Sequence, residues 1–281
     1  MKIKSYGKKA LAVVGSMAML AAFASPTFAA TNTTQYVTVD VEKATLNGGY
    51  VVEPTLIELT SGMTALQALQ AASSDVHSVS SQYGNYIDYV TDNDARSASN
   101  PYIGYEGSGY TFLTQANAAD VQAGYQAADT HSWKHSPAAL AADYSKLAAY
   151  DYNANSGWMV TVNNASPWTG ADTALSAGDV VRLEYTVYSG CDLGFTGYPQ
   201  DAAGTWATVV SPFTGTTDGS GNKVDKDDLI TKIADINANY NGTWGSTQYS
   251  AIDAANSVVT NPTATPAVVS SALSALNIAF I

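Results

Sequence analysis

Residues 156–188, SGWMVTVNNASPWTGADTALSAGDVVRLEYTVY, decide the fold. Trp158, Val160 and Val162 alternate with Met159, Thr161 and Asn163, the period of two that marks a half-buried strand. Asn163 and Asn164 accept a left-handed backbone and end that strand, and Pro167 and Gly170 keep the following stretch irregular. Past the Gly178-Asp179 turn, Val180 to Val187 is dense in β-branched and aromatic side chains and reads as a second strand. The signature is structural, with nothing in it of a catalytic motif.

Upstream, Tyr36, Thr38 and Asp40 alternate with Val37, Val39 and Val41 across a strand from Gln35 to Glu42. Asn47-Gly48-Gly49 then reads as a hairpin turn into a strand from Tyr50 to Leu59, bulged or at a sheet edge where Pro54 falls. Ser61 and Thr64 are candidate caps for a helix whose Met63, Leu66, Ala68 and Leu69 share one face, and Tyr86 to Val90 reads as a short strand. Hairpin, helix, short strand and two further strands predict an α+β domain, a β-grasp-like sheet covered on one face by a packed helix.

Ser156-Gly157-Trp158-Met159, Val162-Asn163, Gly178-Asp179-Val180 and Arg182 to Tyr185 resemble the transcobalamin C-terminal-like domain of secreted Gram-positive bacterial proteins. Tyr36 to Val39 and Gly62 to Leu69 are similar to that family's first strand and helix, so the resemblance covers about residues 35–195, within a domain read as 30–195. It implies a module that closes over one face of a corrinoid, with cobalamin as the ligand. The large α/α-barrel domain that holds the other face in transcobalamin-type proteins has no counterpart in this sequence, which implies capture with the help of a partner.

The chain departs from the family between about residues 91 and 155, where a short connection is expected. Ala116 to Ala128 and Pro137 to Tyr150 are Ala-rich and predict a helical insertion, since so long a structureless loop is uncommon. Before them, Tyr102, Tyr105 and Tyr110 are set among glycines, and Trp168 follows Pro167 on the irregular loop. Tyrosine joins a flat apolar face to a hydroxyl, which suits recognition of sugars, peptides or flat cofactors. These four residues are the candidate ligand-binding set, although tyrosine also serves as an ordinary strand former. Trp158, at the head of its strand, is expected in the core. His131 and His135 are spaced to share a helix face, but no third ligand of metal-site spacing accompanies them and no metal site is assigned.

Lys2, Lys4, Lys8 and Lys9, an apolar run from Ala10 to Phe23 and the small-residue pattern at Thr27-Phe28-Ala29 form a signal-peptide pattern over residues 1–29. The apolar run is short of the ~20 residues that a membrane span needs. The chain is therefore expected to be secreted or on the extracellular cell surface, without membrane insertion after cleavage. Four of its 12 basic residues lie in that segment, leaving eight against 24 acidic ones and a net charge of −16. Such a balance excludes a nucleic-acid surface, which needs concentrated basic charge. With one cysteine, Cys191, no intramolecular disulfide forms, and no Ser/His/Asp or Cys/His spacing supports an enzyme.

Residues 196–223 are turn-rich and read as a linker. Beyond them, residues 224–281 predict a small C-terminal three-helix bundle, opened by Asp225, continued from Thr247 to Val259 and closed by a helix starting at Pro266. Tyr249, Ile252, Ala255 and Ala267 to Leu276 resemble the FIVAR-type repeat of Gram-positive surface proteins, which implies a spacer or adhesion module. Asp225, Asp227 and Asp228 lack the spacing of a calcium loop and read as charges at a helix start. The sequence thus predicts a non-enzymatic binding module, either capturing a corrinoid or recognising a cell-surface glycan or protein as an adhesion or scaffold protein.

Overall fold

The alternation in the first strand sets the two faces of the main sheet. A computed structural model of the chain describes residues 34–46, 48–92, 145–149, 155–199, 205–209, 211 and 215–281. Strand β1 (Tyr36–Glu42) points Val37, Val39 and Val41 to one side and Thr38, Asp40 and Glu42 to the other. It turns through a 3-10 segment at Ala44–Leu46, with Gly49 at φ 69°, into antiparallel β2 (Tyr50–Glu58). Pairing jumps from Val39↔Thr55 to Val41↔Val52, so Pro54 falls in the irregularity of an edge strand, where its missing N–H costs nothing.

Strands β6 (Gly157–Val162) and β7 (Val180–Thr186) complete the sheet in the order β2-β1-β7-β6. β1 runs parallel to β7, and β7 antiparallel to β6. Asn163 and Asn164 adopt the expected left-handed conformation, at φ 51° and 57°, and end β6. Helix α1 (Ala65–Ala72) is capped by Thr64, whose N–H donates to Gln67 Oε1 at 2.9 Å. Leu66, Ala68 and Leu69 bury their face against Val37, Val39, Val160 and Leu183, forming the first core. Truncating a buried leucine such as Leu69 to alanine costs about 2–5 kcal/mol.

A second, antiparallel sheet joins β3 (Val76–Ser81), β4 (Gly84–Thr91) and β5 (Lys146–Ala148) in that order. Strand β3 was not foreseen from the sequence. β5 corrects the helical reading at its C-terminal end: Lys146, Leu147 and Ala148 pair with Thr91, Val90 and Tyr89. Leu147 is fully buried and its carbonyl accepts from Trp158 Nε1 at 2.7 Å, so tertiary pairing overrides helical propensity. Asp92 N–H donates to Ser145 O at 2.8 Å, so the insertion leaves and re-enters the fold at adjacent points. The helical reading of residues 116–128 and 137–144 falls outside the described residues.

The C-terminal segment forms α2 (Asp227–Asn239), α3 (Ser246–Val259) and α4 (Pro266–Ala279). Asp227 N–H donates to Asp225 Oδ1 at 2.9 Å at the start of α2, and Thr265 caps α4 ahead of its first-turn proline. Leu229, Ile230, Ile233, Ile252, Val259 and Leu276 pack together, and Val180 and Tyr50 of the sheet join the same cluster. The described residues between 34 and 281 belong to one compact unit. Within residues 196–223, the stretch read as a linker, Thr216 and Lys223 are buried, and Lys223 O accepts from Asn164 Nδ2 at 3.0 Å. Both lie beside Glu42, Arg182 and Glu184 on the charged second face of the sheet. The described residues are α+β, with two small sheets and four helices.

Candidate functional site

Two places concentrate polar chemistry: a groove along β6, and a buried ionic cluster beneath the C-terminal helices. The groove has a volume of about 350 Å³ and runs between β6 and β4. Among the described residues, three rings line it: Trp158 on β6, Tyr86 on β4 and Trp206. Trp206 is 57% exposed and Tyr86 38%, so both present ring surface to solvent. Trp158 is half-buried, packed edge-on to Tyr185 at 5.0 Å between centroids, and pinned by its hydrogen bond to Leu147 O. It is therefore both core, as its position predicts, and wall. The remaining described lining is neutral, with Asn85, Asn155, Ser166 and Ser189 supplying amides and hydroxyls and no Asp, Glu, Lys, Arg or His among them.

The loop after β6 forms part of the groove wall. Ser166 and Gly170 line it, and the 3-10 turn at Gly170–Asp172 is tied to β4 through Asp172. Asn85 donates its N–H to Asp172 Oδ2 at 2.8 Å and its side-chain amide to Oδ1 at 2.6 Å. These bonds hold the Asp172 carboxyl below its ordinary value. Trp168 stands on this same loop, fully exposed as expected, beside the groove but not in its lining. Tyr102, Tyr105 and Tyr110, the other sequence-predicted site residues, and His131 and His135 lie outside the described residues. Sequence reasoning missed Tyr86 and Trp206 as site residues. The available signal was a lone tryptophan in a turn-rich segment and a strand tyrosine whose face was unassigned.

The second place is the charged face of the sheet. Arg182, fully buried at the centre of β7, donates through Nη2 to Glu42 Oε1 and lies 3.1 Å from Glu184 Oε1. Asp40 Oδ1 is 3.5 Å from Arg182 Nε, and neither atom completes a hydrogen bond. Glu184 Oε2 accepts from Lys223 Nζ at 2.9 Å and from Thr161 Oγ1 at 3.1 Å. Lys226 Nζ donates to Val259 O and Asn261 O, at 2.7 and 2.8 Å, against the carbonyl end of α3.

Burial pushes the Glu184 carboxyl up, but the charges of Arg182 and Lys223 outweigh it and bring it to about 2. Burial dominates at Asp40 and Glu42 and raises both, against the pull of Arg182. It also raises Asp227 to about 6 and draws the Lys226 ammonium down to about 7. The cavity there is about 10 Å³, room for no more than a water. Among the described residues, no group of three His, Cys, Asp or Glu is arranged to hold a metal ion. The cluster fastens helices to sheet.

Cys191 is buried with Sγ 3.5 Å from Val209 O, and burial raises its thiol to about 11, which makes it inert. Asp192 beside it accepts from Thr186 Oγ1 and Val187 N, and burial lifts its carboxyl to about 6. No helix among the described residues is long and apolar enough to cross a membrane. Comparison with known proteins returned no matching family model, no matching curated protein and no matching solved structure.

Proposed function

We propose that the protein is an exported, non-enzymatic binding module whose recognition site is the groove along β6. The observation that carries this is the composition of the walls: three rings, neutral amides and hydroxyls, and no charged side chain among the described lining residues. Such a surface desolvates at low cost and gains by stacking, which suits a neutral ligand with flat or extended faces. The strand order β2-β1-β7-β6 with α1 on one face supports the β-grasp reading of the domain, and the leader-like residues 1–29 support export.

A volume of about 350 Å³ is near the lower end of the roughly 300–1,000 Å³ of small-molecule sites. It suits a segment of a cell-surface polymer, glycan or protein, and adhesion is the reading that the geometry supports best. Corrinoid capture is the second reading, favoured by the motifs around Trp158 and Gly178. The groove would hold only one edge of so large a ring, with a partner taking the rest.

The test is titration of the purified chain with cobalamin, cobinamide and a panel of neutral cell-wall oligosaccharides, repeated with Tyr86→Ala and Trp206→Ala. Loss of one stacking ring is expected to weaken binding by about 2–10-fold. Unchanged affinity in both variants would place the site elsewhere.

A further inference from the structure

The backbone of β6 is as informative as the side chains around it. β6 is the last strand of its sheet, and no described strand pairs with its outer side. Asn163 N–H donates to Val180 O at 2.9 Å, which fixes the parity of the β6–β7 ladder. Thr161, Met159 and Gly157 spend their backbone groups on β7. Val162, on the other parity, exchanges hydrogen bonds with Ala165 on the outer side, at 2.9 and 3.1 Å. By the same parity Trp158 and Val160 turn their N–H and C=O groups outward, to the side where the groove lies.

We propose that this edge takes an extended polypeptide segment, which lies in the groove as an added strand. The inference rests on the groove being a binding site, and names its ligand as a peptide main chain rather than a glycan. Alternating donors and acceptors along an edge strand are the complement of an extended peptide, which supplies both at the same spacing. A sugar ring offers hydroxyls with no such period. Trp158 and Val160 provide two outward donor–acceptor pairs, and Tyr86 and Trp206 flank the channel with rings for alternate side chains. Walls without charge among the described residues, in a chain of net charge −16 after its first 29 residues, favour neutral or basic segments and disfavour acidic ones. An open edge is a hazard for self-pairing, and β6 is guarded by its own 163–165 turn at one end and by the wall of β4 facing it.

The probe is a displayed library of random nine-residue peptides selected against the purified chain, followed by synthesis of the best binder. The expected result is enrichment of neutral or basic peptides with alternating apolar residues. The synthetic peptide shifts the amide resonances of Trp158 and Val160 and slows their hydrogen exchange at least tenfold. N-methylation of the peptide amides that face β6 weakens binding at least tenfold, while methylating the alternate set changes it less than twofold. Val160→Pro, which removes an outward N–H and spares the ladder to β7, is expected to lose binding, and the methylated peptides decide the matter if that variant does not fold. Equal effects of the two methylation patterns, shifts at other amides, or no enriched peptide would overturn the inference. A neutral oligosaccharide that binds the groove while no peptide does would end it and leave the binding-module reading standing.

Discussion

Replacing Glu184 with glutamine removes one negative charge from the fully buried cluster with little change of shape. Glu184 is held by Lys223 at 2.9 Å and by Arg182 at 3.1 Å, and no solvent reaches it to screen the loss. Lowering its carboxyl from an ordinary 4.5 to about 2 corresponds to about 3 kcal/mol of interaction, at 1.36 kcal/mol per tenfold. Breaking one side of a buried pair costs about 3–5 kcal/mol by the same reasoning, so the two routes agree. The assay is urea unfolding of Glu184→Gln beside the native chain at pH 7. With a denaturant slope of about 1–3 kcal/mol/M, the midpoint falls by about 1–3 M. The pH dependence is a second check. A carboxyl lowered by folding contributes stability that is present above 4.5 and lost as the pH falls through 2. The gap between native and variant is therefore constant from pH 5 upward and closes toward pH 2. Adding Lys223→Met is expected to restore part of the loss, since it removes the cation left without its partner. A gap under 1 kcal/mol at pH 7, or one that persists at pH 2, would refute the assignment of Glu184 as an ionised member of the cluster.

Asp192 and Asp227, both raised to about 6 by burial, contribute stability that is full below their ordinary 3.8 and is lost as the pH rises through 6. Lys226, drawn down to about 7, works the other way but loses most of its leverage below pH 7, so the melting temperature is expected to rise by a few degrees from pH 7 to pH 5. A flat or falling melting temperature over that interval would contradict the burial of these carboxyls. Trp158→Ala is expected to cost about 2–4 kcal/mol, less than full burial implies because one face lies in the groove, and Trp168→Ala to stay within about 0.5 kcal/mol. Paired urea melts decide this, and a destabilised Trp168 variant would reverse the assignment. Ending the chain at Asp218 removes Lys223, Lys226 and all three C-terminal helices, uncovers Val180 and Tyr50, and leaves Arg182 and its carboxylates half-wrapped. Thermal unfolding of the truncated chain is expected to lose its cooperative transition, and a native-like melt would show that the sheet stands alone.

What was legible in the sequence was whatever a short window encodes. The alternation of Val37, Val39 and Val41, the Thr64 cap, the two asparagines after Val162 and the proline opening α4 each state a local preference that the packing honours. Lys146–Ala148 was not legible, because its strand identity comes from Tyr89 to Thr91, more than fifty residues away, and from the indole of Trp158. The groove was half legible. Trp158 and the Trp168 loop belong to one readable stretch, whereas Tyr86 and Trp206 come from segments 120 positions apart that only the fold brings together. The charged face was misleading in a physical way. Asp40, Glu42, Arg182 and Glu184 alternate with apolar residues as a solvent face does, yet they are among the most buried of the described residues. Opposite charges at neighbouring positions of two adjacent strands, followed by Lys223 and Lys226 at the head of a helix, were the available sign.

The hydrogen bond between Asp92 and Ser145 has a consequence for what the fold can carry. A segment whose two ends meet at one backbone contact, clamped further by the buried Lys43–Asp92 pair at 2.6 Å, is a socket for interchangeable cargo. Doubling the length of whatever joins those ends costs only about 0.6 kcal/mol of closure entropy. A two-residue turn, another domain or a pair of new termini can thus be spliced between positions 92 and 145 while the ladder of β4 and β5 is kept, which makes this junction the natural place to graft or permute the protein.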